Sequence, residues 1–287
     1  MTERVEFDDL VLEWLNPNAG FFFRRGQVID RFRSEYQQFE VYDTPEYGKL
    51  FRLDDFNMTS EREEFFYHEN LIHVPALAHP QPTHGLIIGG GDGGAAEEML
   101  KHPSLQQVTL VELDQAVVDL ARTHFHAVHR GVFDSPRLRL LVTDGLKYVA
   151  ETADRFDLIA LDLTDPLGPS EALYSVEFFT QLRSILKTGG ALSLHIGSPI
   201  HHPARFARLM KDLRRVFGAV TPYLVFIPLY GSLWGMACAS DRLVPSLNAQ
   251  EVDVILRARG MTDLQYINGD TYRGVLALPN FVRALIS

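Results

Sequence analysis

The stretch "LDLTDP" at residues 161–166 sets two carboxylates, Asp162 and Asp165, three positions apart where the apolar run Asp157-Leu158-Ile159-Ala160-Leu161 stops. Acids recur at the ends of other apolar runs: Asp92 inside "GGGDGG", Glu112 closing "VTLVE" and Asp144 closing "LRLLVTD". Carboxylates brought together unpaired repel one another. A crevice lined by them therefore calls for a cationic ligand. For Asp165 alone, just before Pro166, an acidic turn is the simpler account. It does not explain why acids recur at four run ends.

The stretch "GLIIGGGDGGAAEEML" reads as a strand, a glycine turn and a helix start, and Gly89, Gly91 and Gly94 satisfy G-x-G-x-x-G. Glu112 ends the next run about 20 residues on, where an acid commonly grips ribose hydroxyls. Asp92 departs from a dinucleotide site, because a carboxylate there repels a pyrophosphate and equally the carboxylate of S-adenosylmethionine. It attracts an ammonium group instead, or it caps the following helix. Asp144-Gly145 repeats the geometry. The carboxylate can accept from an adenine amino group, the glycine allowing close approach, or it can be an N-cap before Leu146.

These residues need a scaffold that brings strand ends together. From His84 onward "GLIIGG", "VTLVELD", "LRLLVTD", "FDLIALD" and "ALSLHIG" read as strands, with helices near 94–101, 114–126, 145–152, 176–187 and 203–216. Such alternation implies right-handed βαβ units and a mostly parallel sheet covered on both faces. "AVTPYLVFIPLYGSLWGMACASD" supplies two further runs, expected to close the sheet as an antiparallel pair. The fold class is therefore α/β, a Rossmann-like doubly wound sheet. Residues 27–59 alternate in short runs with turns at "DTPEYG" and "DD", which predicts a small antiparallel sheet. Helical spacing follows from "SEREEFFYHENL", with Phe65, His68, Leu71 and Ile72 along one side and Ser60 and Glu63 as a capping box. The expected division is an N-terminal β domain over 1–75 and a catalytic domain over 76–287.

The bulk numbers limit the classes. The 287 residues are 46% hydrophobic and 22% charged, with a formal net charge of −10. No basic stripe is present, so nucleic-acid binding is not expected. Cys238 is the single cysteine, which forbids an internal disulfide and fits a cytoplasmic setting. "MTERVEFDDL" has no signal-peptide pattern, and no apolar run reaches the roughly 18 residues of a membrane span. His201-His202 and His124/His126 lack metal partners in the sequence and read as surface or capping residues. Phe21-Phe22-Phe23 reads as core or subunit contact, and Trp14 and Trp234 as packing, Trp234 being near enough to Tyr230 to flank an amine channel.

The chain resembles the polyamine aminopropyltransferases, and within them the spermidine synthases, from about Gln37 to "LALPNFV". The resemblance is carried by "LDDFNMTSEREEFFYHENLIHVPALAHP", "LIIGGGDGGAAEEMLKHPS", "VELD", "TDG" and "LDLTDPLGPSEALYSVEFF". It implies an N-terminal β domain before a methyltransferase-type domain. The implied reaction is aminopropyl transfer from decarboxylated S-adenosylmethionine, a co-substrate, to a diamine such as putrescine, with no cofactor and no metal. By motif, Gln37, Gly89, Gly91, Glu112, Asp144, Gly145 and Pro169 contact the nucleoside. Asp92 and His68 face the aminopropyl or polyamine end. Asp162 is the catalytic carboxylate, with Asp165, Tyr67 and Tyr230 along the amine channel. "PLGPSEALYSVEFF" is a candidate lid, and a homodimer or homotetramer is expected. Three positions differ from the family: Met58 stands where Gln is usual, "GSLWGMACAS" after Tyr230 is one residue short, and Tyr272 replaces a His. The first two fall on the amine side. Two other readings use the same scaffold: N-methylation of a diamine by S-adenosylmethionine, and a non-catalytic binder of polyamine or nucleoside.

Overall fold

The computed structural model describes residues 6–166 and 168–287, Pro169 by its backbone alone. An antiparallel hairpin, β1 (Leu10–Asn16) and β2 (Ala19–Arg24), precedes a four-stranded meander of β3 (Gln27–Arg33), β4 (Gln38–Thr44), β5 (Gly48–Leu53) and β6 (Phe56–Ser60). The meander is the sheet expected from alternation. Asp54 and Asp55, between β5 and β6, both lie in the left-handed region, with φ 47° and 69°. Two such residues match the twist of a two-residue hairpin, which is why "DD" works as the turn. The first hairpin escaped the sequence reading. Its strands are short and half-exposed, and Phe22 and Trp14 are 64% and 66% exposed.

Helix α1 (Glu64–Ala78) comes next, and β7 (His84–Gly89), α2 (Gly94–Leu100), β8 (Gln107–Glu112), α3 (Gln115–His124), α4 (His126–His129), β9 (Leu138–Val142), α5 (Gly145–Glu151) and β10 (Phe156–Asp162) follow. A 3-10 turn over Gly168–Tyr174 leads to α6 (Val176–Ile185), β11 (Leu186–Gly197), α7 (Pro203–Val216), β12 (Ala219–Ile227) and β13 (Ser232–Ser240). Helices α8 (Ala249–Ala258), α9 (Gly269–Leu276) and α10 (Asn280–Leu285) end the chain. The seven-stranded sheet runs β12-β13-β11-β10-β7-β8-β9, parallel except for β13, which pairs antiparallel with both β11 and β12. Alternate residues of its strands feed opposite cores. Ile87, Leu110, Leu158 and Ala160 meet α1 and α2, whereas Ile88, Val111, Ile159 and Leu161 meet α6 and α7. The meander joins this body through Phe39, Val41 and Phe51 packed on Leu120, Phe125 and Val128 of α3 and its neighbour. Among the described residues no helix is long and apolar enough to cross a membrane.

Two details of α1 differ from expectation. No capping box forms. The N-cap is Glu63, without a side-chain cap bond; Ser60 Oγ instead donates to Glu63 Oε1 at 3.0 Å, and Glu63 Oε2 accepts from Leu229 N at 3.3 Å. The glutamate is buried and tied to the turn before β13, so it is unavailable to the helix end. Nor does α1 have one apolar side. It packs against α2, β11 and β12 and is buried almost throughout, its polar residues included.

Candidate active site

Strand order turns back between β7 and β10, and ligands bind beyond the carboxyl ends of strands at such a point. Asp162 pairs with Gly89 across these two strands, and Gly90 N donates to the Asp162 carbonyl at 2.9 Å. The glycine turn and the "LDLTDP" turn are thus fastened together. Beyond them lies a cavity of about 740 Å³. Gln37, Tyr67, His68, Gly89, Gly91, Asp92, Glu112, Asp144, Gly145, Asp162, Asp165 and Tyr230 all line it. Pro169 lies outside the fully described residues.

One end is shaped for a nucleoside. Glu112 Oε2 accepts from Gly91 N at 3.2 Å and Oε1 from Asp114 N at 2.9 Å. Only glycine fits at 91, since a Cβ there would stand 2.8 Å from the Glu112 side chain. Burial pushes the Glu112 carboxyl up to about 7, against the pull of these backbone bonds. Gln37 Nε2 reaches Asp114 Oδ2 at 3.4 Å on the same wall. Asp144 Oδ1 accepts from Leu146 N at 2.7 Å, so it caps α5 while facing the cavity. Asp92 likewise accepts from Gly94 N at 3.0 Å through Oδ1, leaving Oδ2 toward His68. Asp144 thus has the N-cap role, and Asp92 binds the first amide of α2 although Gly93 is that helix's N-cap; both carboxylates also line the cavity.

The middle of the cavity is an ionic cluster. His68, on α1, has Nδ1 2.8 Å from Glu64 Oε2, and Nε2 3.6 Å from Asp92 Oδ2 and 3.8 Å from Asp162 Oδ2. Burial alone would lower the ring's pKa; Asp92, the Glu64 hydrogen bond and Asp162 outweigh it and raise it to about 10. Asp162 is pushed up to about 7 by burial, opposed by His68 and reinforced by Asp92. His68, Asp92 and Asp162 offer ligand atoms within 4.8 Å of one another. Asp162 Oδ2 and the Tyr67 hydroxyl are buried and lack a hydrogen bond of good geometry among the described residues.

Beyond Asp162 an aromatic arm begins. Tyr67 and Tyr230 pack edge to face at 6.0 Å, and Tyr230 and Trp234 meet at a tilt with ring centroids 5.0 Å apart. Tyr230 donates to the Met58 carbonyl at 2.8 Å, so the departure at 58 sits directly on the arm. Tyr272 does not line the cavity; it is buried, 3.4 Å from the Val74 carbonyl. The arm also contains residues that the sequence reading missed or set aside: Glu13 from β1, His195 near the end of β11, His201, His202 and Arg205 at the start of α7. His195 lies two residues before the end of a central strand, close to the position that singled out the acids. Glu13 carried no such signal, because β1 itself was not recognised.

Residues 64–250 match the spermine/spermidine synthase domain. Over 281 residues the chain is 46% identical to a polyamine aminopropyltransferase of Nitrosomonas europaea, covering 98% of this chain and 86% of that one. It superposes on a spermidine synthase in complex with the transition-state analogue AdoDATO with a TM-score of 0.91, at 32% identity, over 99% and 98% of the two chains. A spermidine synthase from Thermotoga maritima gives 0.89 at 33% identity, over 96% and 94%. With the cation-seeking cluster at the switch point and the likeness running nearly end to end, the chain belongs to the spermine/spermidine synthase family and is an aminopropyltransferase.

Proposed function

We propose that this enzyme is a spermidine synthase, transferring the aminopropyl group of decarboxylated S-adenosylmethionine to putrescine. The carrying observation is Asp162: a buried carboxylate with one oxygen lacking a hydrogen bond of good geometry, close enough to the Tyr67 hydroxyl for it to favour the ionised form, and beside the His68–Asp92 pair. The donor is a sulfonium. The amine nitrogen attacks the carbon bound to sulfur, a C–N bond forms, the C–S bond breaks with its electron pair going to sulfur, and methylthioadenosine leaves as a neutral thioether. The leaving group needs no acid.

The acceptor does need to shed a proton, because a free alkylammonium has a pKa of about 10. A carboxylate at the usual value is a poor base for this. One pushed up to about 7 is closer to the task. Asp162 also stabilises the positive charge that develops on nitrogen, and Tyr67 fixes the line of attack. Asp92 faces the donor's ammonium. Glu112, Gln37, Asp144 and Gly145 take the nucleoside, Gly89 and Gly91 allowing its close approach. Asp165, His68 and Tyr230 line the amine's path.

No cofactor enters, since the donor carries its own activated leaving group; excess chelator should leave the rate unchanged. We place the enzyme in the cytoplasm as a homo-oligomer. The exposed Trp14, Phe22 and Phe7 of the first hairpin region suit a subunit contact, which light scattering on the purified protein would test. The test of function is incubation with putrescine and each of decarboxylated and intact S-adenosylmethionine, followed by mass spectrometry. Spermidine from the decarboxylated donor is the expected product. Methylated putrescine, or no product with any amine, overturns the reading.

A further inference from the structure

Arg205 stands in the first turn of α7 and reaches Asp165, Nη1 lying 2.5 Å from Oδ2. Both side chains line the cavity and are mostly withdrawn from water, 17% and 22% exposed. By resemblance Asp165 is an anchor for the amine, yet a guanidinium already holds one of its oxygens. Arginine keeps its charge at any working pH, so the pair offers the cavity no net charge. Asp165 Oδ1 is buried without a partner and can take one N–H, but only as part of a neutral unit.

The neighbours do not restore an anionic site. His195 Nε2 is 2.6 Å from the Tyr174 hydroxyl and 2.9 Å from the Leu163 carbonyl, so that nitrogen is already engaged by the protein. Burial pushes this histidine toward neutrality, so it brings no charge to the cavity, and its Nδ1 is buried and unpartnered. The Trp234 indole N–H is also buried and unpartnered. Two carboxylates remain on the arm without an arginine or lysine ion pair among the described residues, Asp162 and Glu13. The arm can match two nitrogens, the reacting one and one ammonium. Each further ammonium would be buried uncompensated and beside a guanidinium, which costs affinity.

We propose that Arg205 determines the choice of acceptor: by pairing with Asp165 it admits diamines and turns away triamines. This rests on the aminopropyl-transfer reading above. The test is initial rates with saturating decarboxylated S-adenosylmethionine and varied putrescine, spermidine or ornithine. The wild-type enzyme is compared with R205Q, R205K, D165N and the D165N/R205Q double variant.

The wild type should prefer putrescine to spermidine in kcat/KM. R205Q should shift that ratio toward spermidine by about tenfold or more, mainly through KM, R205K should keep it, and the double variant should lose the gain. D165N alone, which leaves Arg205 unpaired, should disfavour spermidine further and serves as the independent arm if R205Q is unstable. An unchanged ratio in R205Q, or a gain that survives in the double variant, overturns the proposal. So does a wild-type preference for ornithine that R205Q abolishes, which would make Arg205 a carboxylate receptor. A wild type that transfers aminopropyl to no acceptor would refute the reaction itself, a separate result.

Discussion

His68 Nε2 lies 3.8 Å from Asp162 Oδ2, a buried cation beside the carboxylate at which the amine reacts. The cation holds Asp162 at about 7 when burial and Asp92 push it higher. The carboxylate must be ionised to take the amine's proton, so kcat/KM should rise with pH through about 7. Replacing His68 by Asn or Gln removes the cation, and the Asp162 pKa moves up. We expect a loss of about a hundredfold at pH 7, as for a positioned acid–base partner, partly recovered near pH 9. A pH–rate profile checks this, and an acid limb that stays in place in the variant contradicts it.

Glu112 makes a linked prediction about stability. Its folded pKa, about 7, lies above the usual 4.5. A carboxyl raised on folding contributes stability that is present below the unfolded value and lost as pH rises through the folded one. Glu112→Gln should therefore melt higher than wild type at pH 8 and like wild type at pH 4. The gain is on the order of 1–3 kcal/mol, since burial of the charged carboxylate is what separates the folded from the unfolded value. Calorimetric titration with methylthioadenosine should at the same time show weaker binding. Equal melting at pH 8 would remove the assigned cause.

Much of this site was legible because β-strand chemistry and turn chemistry agree locally. In "FDLIALD" Leu158 to Leu161 are apolar without a break, as in a strand buried on both faces, so Asp162 marks its end. The same logic found Asp92, Glu112 and Asp144. What escaped is what distant elements bring in. Glu13 arrives from a hairpin of weak pattern, and Arg205 from a helix start 40 residues beyond Asp165. Neither position has a local reason to be read as part of the site. His195 did have one, its place near the end of a central strand, but a lone histidine in an apolar run reads equally well as core.

Gly94 is constrained by its neighbour rather than by its backbone. A Cβ at 94 would sit 2.3 Å from His68 Cε1, closer than any real contact. Because Gly94 opens α2 in ordinary helical conformation, alanine is otherwise acceptable there. Gly94→Ala should thus displace the imidazole and cost activity by about the same hundredfold as losing His68, with the circular dichroism spectrum preserved. Retained activity would show that the ring has room to move without consequence.

Tyr67 and Tyr230 touch edge to face, yet their hydroxyls are placed for different ends. The Tyr230 hydroxyl donates to the Met58 carbonyl and so helps hold β6 to the turn before β13. Removing it leaves a carbonyl short of a partner, which costs about 1 kcal/mol. The Tyr67 hydroxyl is buried beside Asp162 with no partner of good geometry, a placement that the fold alone does not reward. Tyr67→Phe should then leave the unfolding midpoint in urea unchanged or slightly higher while lowering kcat by about tenfold, the range of a lost positioning contact. Tyr230→Phe should lower the midpoint and act mainly on the KM for the amine. If Tyr67→Phe destabilises the protein more than Tyr230→Phe and spares kcat, the hydroxyl serves the core and not the reacting amine.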